Sequence, residues 1–145
     1  LGLAPSLLEV ELTETTLMES FDRVSETLRH LREKGVRVAL DDFGMGYSSL
    51  TYLRRLPLDT LKIDRSFIVD SRREGNRVIT RAMVRLGHDL GLEVVAEGVE
   101  TEEHRAFADE AECDVIQGYW YSRPLPPEEV RAFLSRQEEG TGWPV

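Results

Sequence analysis

Short apolar or alternating runs recur along the chain, each followed by a longer stretch whose apolar residues return every three or four positions. Residues 7–12 predict the first strand. A helix through Leu17, Val24, Leu28 and Leu31 follows, with Thr13, Thr15 and Thr16 as candidate N-caps and Gly35 near its end. Residues 36–40 predict the second strand, and Ser48 and Ser49 open a short helix that stops before Pro57. Residues 60–64 predict the third strand. The next helix places Ile79, Met83, Leu86 and Leu90 on one face and closes at Gly91, which suits a left-handed cap. Residues 93–96 form the predicted fourth strand, Thr101 caps the helix behind it, and residues 115–120 form the fifth. Pro126 and Pro127 open a last helix through Val130, Phe133 and Leu134, because a first helical turn leaves its amide hydrogens unused anyway.

Strands alternating with helices predict parallel pairing through right-handed crossovers, hence an α/β fold. About five strands are countable, and no linker or low-complexity tract interrupts them. A five-stranded flavodoxin-like domain is one way to use that count, and its size fits 145 residues.

Composition narrows the function classes. With 41% apolar and 31% charged residues the chain reads as globular. A net charge of -9 argues against general affinity for DNA backbones or anionic membranes, which reward clustered Lys and Arg. An acidic protein acting on a phosphate ester must bring positive charge from elsewhere, and metal ions are the natural source. Cys113 is the single cysteine, so no internal disulfide forms, which suits a reducing, cytoplasmic setting; its apolar neighbours mark it as a buried structural thiol. No stretch is apolar enough to insert in a membrane.

Polar residues gather at one place in each unit. Glu11 ends the first predicted strand, Asp41 and Asp42 the second, Lys62 with Asp64 the third, and Glu97 the fourth, while Gln117 lies on the fifth. In a parallel α/β sheet or barrel all these ends share one rim, where active sites of such folds sit. Taken singly, each has an ordinary explanation: a solvated carboxylate, a helix cap, or a lysine alternating outward on a half-exposed strand. Taken together, acids at four consecutive strand ends around a lysine point to a site. Bare carboxylates on one rim repel one another; oxygen ligands without His or Cys favour Mg²⁺ or Mn²⁺ over zinc.

The tripeptide from Asp42 to Gly44 also occurs in protein kinases, but the Gly-rich phosphate loop and the catalytic loop those enzymes need are absent. Gly44 and Gly46 instead mark a tight loop between strand and helix, where glycine permits a positive φ or the close approach of a ligand, or simply makes a plain turn. His30, His88 and His104 lie in helical segments without ligand spacing and read as surface residues; Met18 and Met83 read as core filler.

The segments 11–14, 41–50, 61–64, 95–101, 117–119 and 122–125 resemble the motifs of EAL domains, in that family's order, from about Leu7 to Leu125. Met45 stands where the family often has Thr. The resemblance implies a TIM-like barrel, of which this chain supplies about five parallel strands with helices outside. It implies hydrolysis of one phosphodiester of cyclic di-GMP to linear pGpG with two Mg²⁺ or Mn²⁺ ions, in bacterial signalling. By motif, Glu11 and Asp41 hold the first metal, Asp41 and Asp42 share the second with Asp64 close by, and Lys62 positions the attacking water. Glu97 acts as metal ligand or general base and Gln117 supports the site. Glu14 anchors the loop carrying Asp42, and Gly44, Gly46 and Ser48 lie in the substrate-binding loop.

The Glu-Ala-Leu signature and the Asn-bearing strand after it have no counterpart here, and the first residue is Leu1. Residues 1–136 therefore read as the C-terminal part of such a domain, with 137–145 a polar tail. Five strands leave two open sheet edges, so the expectation is weak or absent hydrolysis by the isolated chain and self-association through those edges. The rival reading is a non-catalytic module that binds cyclic di-GMP or a protein; intact motif positions argue against it.

Overall fold

The computed structural model describes residues 2–19, 21–46 and 53–138. Five strands form one sheet: β1 (Glu9–Thr13), β2 (Arg37–Phe43), β3 (Thr60–Ile63), β4 (Glu93–Ala96) and β5 (Val115–Ile116). All pairs are parallel and the spatial order follows the chain order. The described helices are α1 (Glu14–Glu19), α2 (Phe21–Glu33), α3 (Arg65–Val69), α4 (Glu74–Asp89), α5 (Glu102–Glu110) and α6 (Pro127–Glu138).

The strands alternate polar and apolar, so the sheet has two unlike faces. Leu12, Val38, Leu40, Leu61, Ile63, Val94 and Ala96 form one face and belong to the buried core. Helical side chains pack against it: Val24 and Leu28 from α2, Ile68 from α3, Val84 from α4, Phe107 and Ala108 from α5. Leu61 and Ile63 are fully buried, each contributing about 1.5–3 kcal/mol of transfer free energy. The other face carries Glu9, Glu11, Arg37, Thr60, Lys62 and Glu93. Sequential strand order with the core on one side is an arc of a (β/α) barrel. A flavodoxin-like sheet would reorder its strands and cover both faces with helices. Among the described residues, that alternative fails on both counts.

Several local expectations shift. Helix α3 was not anticipated, although Asp64 is its N-cap and accepts the Ser66 amide at 2.9 Å. Of the three threonine cap candidates, Thr13 takes the role, its hydroxyl accepting the Thr16 amide at 3.4 Å. The fifth strand is two residues long rather than six, and α6 runs to Glu138, into the predicted tail. The helix predicted to open at Ser48 falls largely on residues 47–52, outside the described residues.

Helix α4 corrects the predicted face. Thr80, Val84 and Gly87 are its buried residues; Met83, Leu86 and Leu90 flank them, partly buried, and Ile79 is exposed. Gly87 lies so close to the sheet that a Cβ there would stand 2.5 Å from Val94 Cγ2. Small residues, invisible to a search for apolar periodicity, set the line of closest approach. Gly91 ends the helix with φ +74° as predicted.

At the N-terminal ends of the strands a polar network ties four of them together. The Arg37 guanidinium bonds Glu9 (3.1 Å), the Thr60 hydroxyl (2.9 Å) and Glu93, and Thr60 donates to Glu9 at 2.6 Å. Arg32 pairs with Asp59 just before β3.

Candidate active site

The C-terminal ends of β1 to β4 converge on Lys62. Its side chain is buried, and Nζ lies 2.8 Å from Glu11, 2.7 Å from Glu97 and 3.4 Å from Asp41. The reading of Lys62 as a residue alternating outward into solvent is therefore wrong. Burial alone would lower the pKa of this ammonium, but hydrogen bonds to Glu11 and Glu97, with attraction from Glu97 and Asp41, raise it well above the ordinary lysine value. Lys62 stays protonated.

Asp41 and Asp42 adjoin in sequence, and a regular strand would aim them at opposite faces. The ladder between β2 and β3 solves this. Leu40 pairs with Leu61 and Phe43 with Ile63, so β2 carries one extra residue there, a bulge. Asp42 sits in it with φ +54°, a left-handed conformation that Asp tolerates better than most residues. The bulge lets one carboxylate oxygen from each of Asp41, Asp42 and Glu97 lie within 4.8 Å of one another. Burial, then repulsion from Asp41 and Asp64, pushes the Asp42 carboxyl above the usual range. Burial likewise raises Glu97, with Lys62 opposing. The cluster is short of positive charge.

The other predicted residues take separate places. Glu11 reaches the cluster through Lys62. Asp64 borders it, with one carboxylate oxygen engaged in capping α3. Gln117 is exposed just beyond β5; its backbone N–H donates to the Ala96 carbonyl and its backbone carbonyl accepts from the Val99 N–H. It also lines a cavity of about 700 Å³ between β5 and α6. Glu14 is buried at the start of α1, and its Oε2 accepts the Gly46 amide at 3.1 Å, tying α1 to the loop after β2. A Cβ on Gly46 would stand 2.7 Å from that carboxylate. Gly44 has φ +101° and packs under Phe67 and Met83. Ser48 lies outside the described residues. His88 and His104 are tied to neighbours, His88 to Asp114 and His104 to the Glu100 amide, and Cys113 is half-buried with its thiol pushed up to about 12, by burial first.

Two glycines that the sequence offers only as members of the motif segments 95–101 and 117–119 shape the loop after Glu97. Gly98, at φ +68°, packs on Arg65, and a Cβ at Gly118 would lie 2.1 Å from the Val99 carbonyl oxygen.

A model of the EAL domain matches residues 1–124. The chain belongs to the EAL domain family. The EAL relatives include a cyclic di-GMP phosphodiesterase, NbdA, of Pseudomonas aeruginosa, 51% identical over 134 residues, which are 92% of this chain and 17% of that protein. Among solved EAL structures, the PaMucR phosphodiesterase in complex with c-di-GMP superposes with a TM-score of 0.84 at 45% identity, covering 88% of this chain and 52% of that one. Klebsiella pneumoniae BlrP1, solved with manganese and cyclic di-GMP, superposes with a TM-score of 0.80 at 38% identity, over 86% of this chain and 32% of its own. The chain thus spans about a sixth of the curated EAL relative and about half of the PaMucR chain. No described helix is long and apolar enough to cross a membrane.

Proposed function

We propose that this chain carries the C-terminal catalytic half of a cyclic di-GMP phosphodiesterase domain that cleaves one phosphodiester to linear pGpG. The observation that carries the reading is the buried Lys62 ammonium, bonded to carboxylates from the ends of three strands, beside an Asp41–Asp42–Glu97 oxygen cluster. The relatives' complexes with cyclic di-GMP, and BlrP1's with manganese and with calcium, support it.

The donor set fits hard divalent cations, being oxygen-only and deficient in positive charge. We assign two Mg²⁺ or Mn²⁺ ions to Asp41, Asp42, Glu97 and Glu11, with Asp64 and Gln117 at the margin. When bound, such ions supply an activated water of lowered pKa and screen the phosphate charge. Lys62, held protonated, can only donate hydrogen bonds, so its role is to orient the attacking water. Glu97 either completes the ion ligands or, where it stays unligated, accepts the water's proton, its burial making the carboxylate more basic. Glu14 keeps the loop from Gly44 to Gly46 against the bulge that aims Asp42. The setting we assign is bacterial, cytoplasmic signalling.

One observation favours a second reading. Among the described residues, β1 and β5 each pair on one side only, and the polar face carrying Glu11 is open. Such a chain would bind cyclic di-GMP without turning it over, and its edges would pair with a second copy. Incubating the folded chain with cyclic di-GMP and Mn²⁺, then separating nucleotides by chromatography, tests both readings. Slow, chelator-sensitive pGpG formation abolished by Lys62→Ala supports the enzyme; metal-dependent binding in equilibrium dialysis without product supports the module. Neither binding nor product from a folded chain sinks both. Light scattering tests the pairing of edges, and a compact monomer refutes it.

A further inference from the structure

Lys62 stands where a cation would. Its Nζ touches Glu97 and Asp41, two of the three carboxylates in the candidate metal set, and takes up Glu11 as well. A fixed positive charge on shared ligands competes with an added one: the ligands are occupied and the charges repel. It also keeps the bare carboxylates from pushing one another apart, since one buried ammonium offsets part of their charge.

We propose that Lys62 is a built-in surrogate for the metal, which holds the site assembled when it is empty and must give up its bonds to Glu97 and Asp41 for a divalent ion to enter. This rests on the cation-site reading above. The site is then preformed and deliberately weakened in affinity, so loading follows the divalent-ion concentration instead of being permanent. A lysine that only braced the carboxylates, without blocking them, predicts the reverse, because its removal would loosen the site and free no ligand for the ion.

Titration with Mn²⁺, following the EPR signal of the free ion, reads affinity without reference to turnover. Lys62→Met should bind Mn²⁺ about tenfold tighter or more than the parent, since a fixed repulsive charge is gone. Lys62→Arg, which keeps the charge, should stay at the parent's affinity. Arg32→Gln removes one positive charge at the opposite rim, where Arg32 pairs with Asp59, and should change nothing; a gain equal to that of Lys62→Met would reduce the effect to net charge and overturn the proposal. Equal or weaker binding by Lys62→Met and by Lys62→Gln, both shown folded by circular dichroism, also overturns it, while Mn²⁺ binding by the parent leaves the cation-site reading standing. No Mn²⁺ binding by any variant refutes that reading and the proposal with it. A crystal structure of the parent with Mn²⁺ provides a check independent of mutation: Lys62 should have left Glu97 and Asp41, and an unmoved ammonium beside a bound ion overturns the inference.

Discussion

Two alanine substitutions in one helix should shift stability in opposite directions. Both Gly75 and Gly87 lie in α4, and neither has a positive φ. In isolation each Gly→Ala change favours the helix by up to about 1 kcal/mol, largely by restricting the unfolded chain. At Gly75 a new Cβ meets nothing within 4 Å, so the gain survives, at roughly 0.5 kcal/mol in a first turn. At Gly87 the same Cβ would lie 2.5 Å from Val94 Cγ2 and 3.3 Å from Leu61 Cδ2. Ordinary carbon contacts begin near 3.5 Å, so the helix or Val94 must yield by about 1 Å against a fully buried strand. Overpacking of that kind costs about 1–3 kcal/mol. The sum is a net loss of about 1 kcal/mol or more for Gly87→Ala. Urea unfolding followed at 222 nm measures both. Val94→Ala removes the obstructing methyl, so in a double-mutant cycle the pair should couple favourably by about 1 kcal/mol. Stabilisation by Gly87→Ala equal to that by Gly75→Ala, or zero coupling with Val94, would refute the close-packing argument.

Gly118→Ala should be far worse, costing about 3 kcal/mol or more, because its Cβ would meet the Val99 backbone rather than a movable side chain; a melting temperature within 2 °C of the parent would contradict this. Cys113, its thiol pushed up to about 12, should react with iodoacetamide at pH 8 roughly a thousandfold more slowly in the folded chain than in urea, since the thiolate is the nucleophile. Comparable rates would mean the thiol is neither buried nor suppressed. Asp114 accepts the Val94 amide at 2.7 Å and His88 at 2.9 Å; burial opposes, but these bonds win and hold its carboxyl below the usual range. A depressed folded pKa contributes stability above the unfolded value of about 4 and loses it as pH falls through the folded one. Asp114→Asn should therefore cost no more than about 0.5 kcal/mol at pH 7, because solvent screens this half-exposed carboxylate, with the gap to the parent closing below pH 4; a gap constant with pH would remove the charge from the account.

Strand positions and the clustering of Glu11, Asp41, Lys62 and Glu97 were legible because alternation in four short segments marks one face and one end of a parallel sheet. The bulge was not legible. Nothing in two adjacent aspartates says that the ladder gains a residue there; that depends on how β3 pairs, a non-local fact. The buried face of α4 escaped because its centre is Thr80 and Gly87, while apolar spacing drew the eye to Ile79. Helix α3 escaped for the opposite reason: five residues are too few for periodicity, and its one signal, Asp64 as a cap, had been assigned to chemistry. Lys62 was legible as one of the residues at these strand ends, but its burial followed only from the three carboxylates around it.

The same four strands carry a stitched end and the end that holds the Lys62 cluster, separated along β2 by the four residue steps from Arg37 to Asp41, a span of about 13 Å. Thermal tolerance and chemistry therefore draw on different letters of the same short words. A lineage moving to a hotter habitat could exchange the Arg37, Glu9, Thr60 and Glu93 quartet for an apolar plug without disturbing Lys62 and its acids. One revising the carboxylates around Lys62 could change the other end and keep its melting point.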